Sequence, residues 1–272
     1  MILGVIGFGT VGKAVAHTLL FFHTVYIWDK YDPCFSSDFD LKNVLKTEAI
    51  FICVPTPSKE NRLDMSAVEE VLIKLDRNCF SGVVIIKSTL RVGAMVGFKR
   101  SYNLRLVYAP EFLRERSALQ FFVNPPGRIV FSGDPEDVKI VLEIFKWCET
   151  RKILMDDLSA EVMKLAHNAL FATKVSFTNE IKKICLEVGA DPKKVMKAIA
   201  ADPRNGPSHL DPEIGPYNGE CLIKDTLELM LTTPNNLLLE AVHRRNQQEI
   251  AMQGINGDSN ERAQAENCNY RR

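Results

Sequence analysis

The chain lacks an excess of charge of either sign: 34 lysines and arginines stand against 34 aspartates and glutamates, a formal net charge of zero. No overall field draws it to nucleic acid or to an anionic membrane, so a small-molecule partner is the default expectation. It also lacks any apolar run approaching the ~20 residues of a membrane span. The opening MILGVIGFGTVG is apolar, but it has no basic start and runs into glycines at strand-to-helix spacing rather than into a cleavage site. The seven cysteines, at 34, 53, 79, 148, 185, 221 and 268, are odd in number and form none of the close pairs of a zinc site. His17, His23, His167, His209 and His243 show no ligand spacing, so no metal site is expected. Free thiols in a reducing, cytoplasmic setting fit this usage.

What is present is enough apolar material for a real core, 46% of 272 residues, in one large or two medium domains. Short β-branched or aromatic runs recur at 2–6, 25–28, 49–54, 83–87, 104–109 and 128–132. Amphipathic stretches such as TVGKAVAHTLL and SAVEEVLIKL separate several of them, the alternation of a parallel α/β sheet buried on both faces. Near residues 155 to 160 the character changes. A helical apolar spacing runs over 157–188, a stop is expected at Gly189, and a fresh helix starts at Asp191. A long Pro- and Gly-rich loop follows, ADPRNGPSHLDPEIGPYNGE, and then another helical stretch from DTLELML onward. The expected organisation is therefore a Rossmann-type domain over 1–155, a helical domain over 156–253 carrying a cysteine in a loop, and a disordered tail over 254–272.

Gly7, Gly9 and Gly12 in GFGTVG follow the first strand directly and open a helix. In that context they give a tight turn, close backbone approach to a pyrophosphate, and tight packing of helix on strand. The loop Gly7, Phe8, Gly9, Thr10, Val11, Gly12 is thus expected to hold NAD. Asp29, at the end of the second strand about 20 residues on, suits the adenosine ribose and repels a 2′-phosphate, a preference tempered by Lys30. The segment between Asp29 and the third strand is short, so a vestigial crossover helix is expected there.

Five further segments carry a resemblance: FICVPTP (51–57), KSTL (87–90), APEFLRE (109–115), KLAHNALFATKVSFTNEI (164–181) and GECLIKD (219–225). In this order they resemble the UDP-glucose/GDP-mannose 6-dehydrogenase family, over about residues 1 to 250. The resemblance implies that an alcohol carbon of a nucleotide sugar is oxidised twice, through aldehyde to acid, with two NAD⁺. Such chemistry asks for a base, a thiolate that adds to the aldehyde, donors that steady an oxyanion, and a carboxylate that activates water. Cys221 suits the nucleophile, and Lys164 and Asn168, four apart on one expected helix, share a face and can converge on one oxygen.

By resemblance, Glu111 and Glu115 flank the reacting carbon, either of them activating water, Thr89 helps place water or cofactor, and Asp225 orients a nearby base or water. Resemblance further implies cofactor contacts from Val54, Pro55, Thr56, Thr89 and Lys224. It implies substrate contacts from Glu111, Phe112, Leu113, Lys164, Asn168, Tyr217 and Gly219. Arg204 resembles an arginine that reaches substrate across a dimer interface, and helix 157–188 resembles the helix that builds that homodimer.

Two departures stand out. Asn218 and Ile223 occupy positions where the family has glycine and proline, so a left-handed turn at Asn218 is expected. The family's third domain, which grips the nucleotide, is not recognisable after residue 253. This leaves a partner chain supplying that domain, or a catalytically impaired NAD-binding homologue, as alternatives. A single-step alcohol dehydrogenase of the β-hydroxyacid group has no need of Cys221.

Overall fold

The computed structural model describes residues 1–112 and 127–252. Leu113, Glu115, Cys268 and the expected disordered tail over 254–272 lie outside the described residues. The chain forms two compact units, the first from Met1 to Lys164 and the second from Leu165 onward. The division falls inside one long helix, nine residues beyond the expected boundary of 155.

The first unit is built on a seven-stranded sheet in the order β2-β1-β3-β6-β7-β8-β9. Its strands are β1 Ile2–Ile6, β2 Thr24–Trp28, β3 Ala49–Ile52, β6 Val83–Ile86, β7 Arg105–Tyr108, β8 Ile129–Gly133 and β9 Lys152–Met155. A two-stranded hairpin, β4 Ser58–Lys59 and β5 Arg62–Leu63, stands apart from it. The helices α1 Thr10–Leu19, α2 Asp38–Val44, α3 Ser66–Arg77, α4 Ala94–Ser101 and α5 Pro135–Ile144 complete the α/β layers.

Alternate side chains of each strand enter different cores. Leu3, Val5, Phe51, Val83, Ile85 and Phe131 pack with Val15 and Leu19 of α1 and Val138 and Val141 of α5. Ile6, Ile50, Ile52, Val84, Ile86 and Val130 pack with Leu72 of α3 and Met95 and Phe98 of α4. Burial on both faces is why these strands read as continuous apolar runs.

The sheet is mostly parallel, as expected, with one antiparallel pairing within it. β8 runs antiparallel to β7, pairing Val107 with Gly133 and Tyr108 with Ser132. A continuous apolar run reports two-sided burial and carries no direction, so RIVFS reads alike either way. The edge strand β9 escaped notice because one-sided burial leaves it only half-buried. The second crossover is not vestigial: α2 is two turns long, held by a capping box between Ser37 and Asp40.

In the second unit the long helix α6, Asp157–Val188, ends as expected. Gly189 takes φ +75° and the Ala190 N–H reaches the Cys185 carbonyl (2.7 Å), a Schellman closure. Asp191 then caps α7, Pro192–Ala200, by accepting the N–H groups of Lys193 and Lys194. The final helical stretch is two helices, α8 Glu220–Met230 and α9 Leu237–Met252, separated around Pro234.

The long loop 201–219 runs along α6 because that helix satisfies its carbonyls. Lys174 donates to Asn205 O (2.9 Å), Asn179 to Gly215 O (2.8 Å) and Lys182 to Pro212 O (2.9 Å). Among the described residues no helix is long and apolar enough to cross a membrane, and no cluster of His, Cys, Asp or Glu could hold a metal ion.

Candidate active site

At the carboxyl ends of β1 and β3 the strand order reverses, and in open α/β sheets this is where ligands bind. The glycine loop sits there and each glycine has a distinct steric reason. Gly7 has φ +91°, and a Cβ on it would stand 2.8 Å from the backbone of Cys53. A Cβ on Gly12 would lie 1.8 Å from the Gly7 carbonyl, so α1 could not start so close to the loop. A Cβ on Gly9 would meet nothing within 4 Å. This is the space a pyrophosphate needs, in front of a helix start with no side-chain cap and no acid in its first turn. Phe8, Thr10 and Val11 complete the loop.

Asp29 accepts the Phe8 N–H (2.6 Å) and the N–H groups of Tyr31 and Asp32, which ties the loop to the end of β2. Oδ1 takes the Tyr31 and Asp32 bonds and Oδ2 only the Phe8 bond, so Oδ2 keeps a lone-pair direction for a ribose hydroxyl. Lys30 turns to Glu70 (2.9 Å) instead of standing alone beside Asp29. The residues present therefore fit a dinucleotide of the NAD type.

Two loops flank this place. Val54, Pro55 and Thr56 leave β3, and Thr89 lies in the loop leaving β6. Ser88 ties them by donating to Val54 O (2.6 Å). Lys87, buried at the end of β6, pairs with Glu111 (2.8 Å). Burial in this corner pushes the Cys53 thiol up to about 12, opposed in part by the Lys87 cation. The Phe112 ring has the Arg128 guanidinium at 4.8 Å and the Lys164 ammonium at 5.4 Å from its centroid.

In the second unit, Cys221 lies in the first turn of α8 and not in a loop, because the helix begins at Glu220 behind Gly219. The N–H groups of a helix's first turn favour negative charge beside them. Cys221 is exposed, and Asp225 follows it by four residues on the same face. Asp225 is 1% exposed and both of its oxygens are used. Asn168 of α6 donates to one (2.6 Å) and Lys224 to the other (2.8 Å). Lys224 is buried beside Asp225.

Asn218 does not take the expected left-handed turn: the left-handed non-glycine residues among those described are Glu60, Asn61, Cys79, His209 and Asn235. Gly215, at φ +70°, supplies the turn three residues earlier. Ile223, in place of proline, donates the first helical bond of α8 to Gly219 O (3.4 Å).

Tyr217 is buried, its backbone N–H and carbonyl both held by the Asn246 side chain (2.9 and 2.8 Å). Burial pushes its phenol up to about 12. Arg204 is exposed and paired with Asp202 (2.6 Å), whose carboxyl it holds below the usual range.

Lys87 and Asn246 were not singled out from the sequence. Lys87 left a signal, a charge closing a wholly apolar strand. Asn246 left none among the polar neighbours HRRNQQ.

Two family models match the chain. Residues 32–149 match the UDP-glucose/GDP-mannose dehydrogenase family, NAD binding domain, and residues 158–248 match the central domain of the same family. The chain belongs to this family. A UDP-glucose 6-dehydrogenase of Rickettsia bellii is 31% identical over 230 residues, covering 78% of this chain and 51% of that protein. One of Bacillus subtilis is 33% identical over 217 residues, covering 75% and 47%. The structure of a UDP-glucose dehydrogenase from Pyrobaculum islandicum superposes with a TM-score of 0.77 at 26% identity, over 90% of this chain and 68% of that one. The chain spans about half the length of these curated relatives. Its cofactor, as for the family's NAD-binding domain, is NAD.

Proposed function

We propose that this chain carries the NAD-binding and thiol-bearing parts of a cytoplasmic nucleotide-sugar 6-dehydrogenase that oxidises UDP-glucose to UDP-glucuronate. The observation that carries the reading is the bond from Asn168 to the buried Asp225, one helical turn from the exposed Cys221. A carboxylate buried between an amide and an ammonium fixes both donors at low entropic cost, which is what an oxyanion site requires. UDP-glucose is preferred over GDP-mannose because relatives above 30% identity from Rickettsia bellii and Bacillus subtilis carry that substrate in their names.

Bound NAD⁺ accepts the hydride in each oxidation. The chain's own groups do the rest. Lys164 and Asn168 steady the developing alkoxide while its proton leaves to a base. The Cys221 thiolate adds to the aldehyde carbon, and loss of the second hydride leaves a thioester on its sulfur. Water activated by Glu111 or Glu115 cleaves that thioester, releasing the acid and the thiol; Thr89 helps place the water.

A homodimer through α6 belongs to the same proposal. Leu170, Phe177 and Ile184, seven residues apart on that helix, are exposed apolar side chains. Arg204 would then reach the partner's substrate, and a partner chain could supply nucleotide-binding surface. The test is NADH formation by the full chain with UDP-glucose and NAD⁺. Steady turnover that Cys221→Ser reduces to the aldehyde stage is expected. No NADH from any UDP- or GDP-hexose, with or without candidate partner chains, would overturn the proposal.

A further inference from the structure

Glu161 lies on the second turn of α6 with 0% of its surface exposed. Its carboxylate accepts the N–H of Gly93 (2.6 Å) and of Met95 (2.7 Å), the opening of α4. That helix has no cap of its own: Gly93 precedes it at φ +90°, and its first turn contains no acid. Glu161 therefore supplies, from another helix, the negative charge and acceptors that α4 lacks locally. Burial pushes the Glu161 carboxyl above the usual range, opposed by these two N–H groups, with Asp157 adding a smaller upward push. Asp157 faces the same helix, pairing with Lys99 of α4 (2.8 Å). Glu161 thus bonds α6 directly to the start of α4.

The geometry it fixes is a closed circuit within the first unit. Gly93 ends the loop that carries Lys87 and Thr89. Lys87 holds Glu111, Phe112 follows Glu111, and the Lys164 ammonium lies against the Phe112 ring. Lys164 is three residues beyond Glu161 on the same side of α6, which closes the circuit. Every other side chain in this circuit touches or is one of the groups given a chemical role above.

We propose that Glu161 is a positioning residue: by clamping α6 to the start of α4 it sets where the Lys164 ammonium stands relative to Thr89 and Glu111. The kinetic form of this inference rests on the function proposed above; the structural form does not.

In Glu161→Gln the amide keeps one acceptor and turns its NH₂ toward a backbone donor, so one of the two bonds is lost. Two readouts separate the claims. First, Lys164 is modified by trinitrobenzenesulfonate and mapped by peptide mass. Its rate should rise severalfold in Glu161→Gln, while buried Lys224 in the other unit and the affinity for NADH stay as in the parent. An unchanged Lys164 rate overturns the proposal, and this holds even if the chain turns over no nucleotide sugar.

Second, where the parent turns over, kcat per NADH-binding site should fall between about tenfold and a hundredfold with little change in KM for NAD⁺. In a Lys164→Met background the same substitution should add almost nothing. A fully additive loss, or a loss explained by fewer folded sites, would mean that Glu161 is only structural. Should Glu161→Gln not fold, Glu161→Asp keeps the charge but shortens the reach, and the same outcomes decide.

Discussion

The glycine loop and the cysteine segment are held by opposite means. Around Gly7 and Gly12 the backbone itself is the structure, and a single Cβ would collide with main-chain atoms at 2.8 and 1.8 Å. Around Cys221 the backbone is ordinary. Its placement comes from side chains elsewhere: Asn246 on Tyr217, and Asn168 and Lys224 on Asp225. A site made of backbone leaves a fixed spacing in the sequence and tolerates no substitution. A site made of distant side chains leaves a fainter trace and absorbs changes such as Asn218 and Ile223.

The largest expected effect tests the side-chain half. Asp225→Ala leaves the buried Lys224 ammonium without its carboxylate and Asn168 without an acceptor. It should lower unfolding stability by about 4 kcal/mol, read from urea denaturation. Lys224→Met in the same chain should restore part of the loss, because the stranded charge is removed. A cost under about 1 kcal/mol would mean that the Asp225 network does not hold this segment.

Next comes a pair within the glycine loop. Gly12→Ala should cost about 3 kcal/mol or more and abolish NADH binding, since backbone atoms have no room to move aside. Gly9→Ala meets nothing in the protein and should change stability by no more than about 0.5 kcal/mol, yet weaken NADH binding strongly. Equal effects of the two on folding would break the distinction between a glycine needed by the fold and one needed by the ligand.

Smaller effects sharpen the comparison. Asn218→Gly and Ile223→Pro bring the segment back to the family pattern. Asn218→Gly should be near neutral because Gly215 already makes the left-handed turn. Ile223→Pro should cost about 1 kcal/mol for one long terminal bond and some packing.

Alkaline pH gives a further contrast. Burial raises the Cys53 thiol from 9.0 to about 12 and the Tyr217 phenol from 10.0 to about 12. In each case the unfolded chain loses its proton first, so stability should fall as pH rises through those windows, beginning earlier for Cys53. Cys53→Ala should flatten the earlier part of that slope in a pH series of denaturation curves. An unaltered slope would sink the assignment.

This contrast also explains what was legible beforehand. The strands of the first unit announce themselves because both faces are buried, and α6 because its stop at Gly189 and restart at Asp191 are local chemistry. The direction of β8 was hidden because burial has no polarity, and β9 because an edge strand is half-exposed. At the candidate site, spacing drew attention to Gly7, Gly9, Gly12 and Asp29, and resemblance to Cys221, Lys164, Asn168 and Asp225, as expectations about function. Neither drew attention to Glu161 or Asn246: each acts on backbone groups far away in sequence, an association that only folding creates.

Cys221 is proposed as the nucleophile of a two-step oxidation. Counting NADH released per UDP-glucose consumed, for the parent chain and for Cys221→Ser, tests it most directly. Two NADH per substrate with acid as the product in the parent, and no acid from Cys221→Ser, is the predicted result. Acid and two NADH from Cys221→Ser at the parental rate would contradict it.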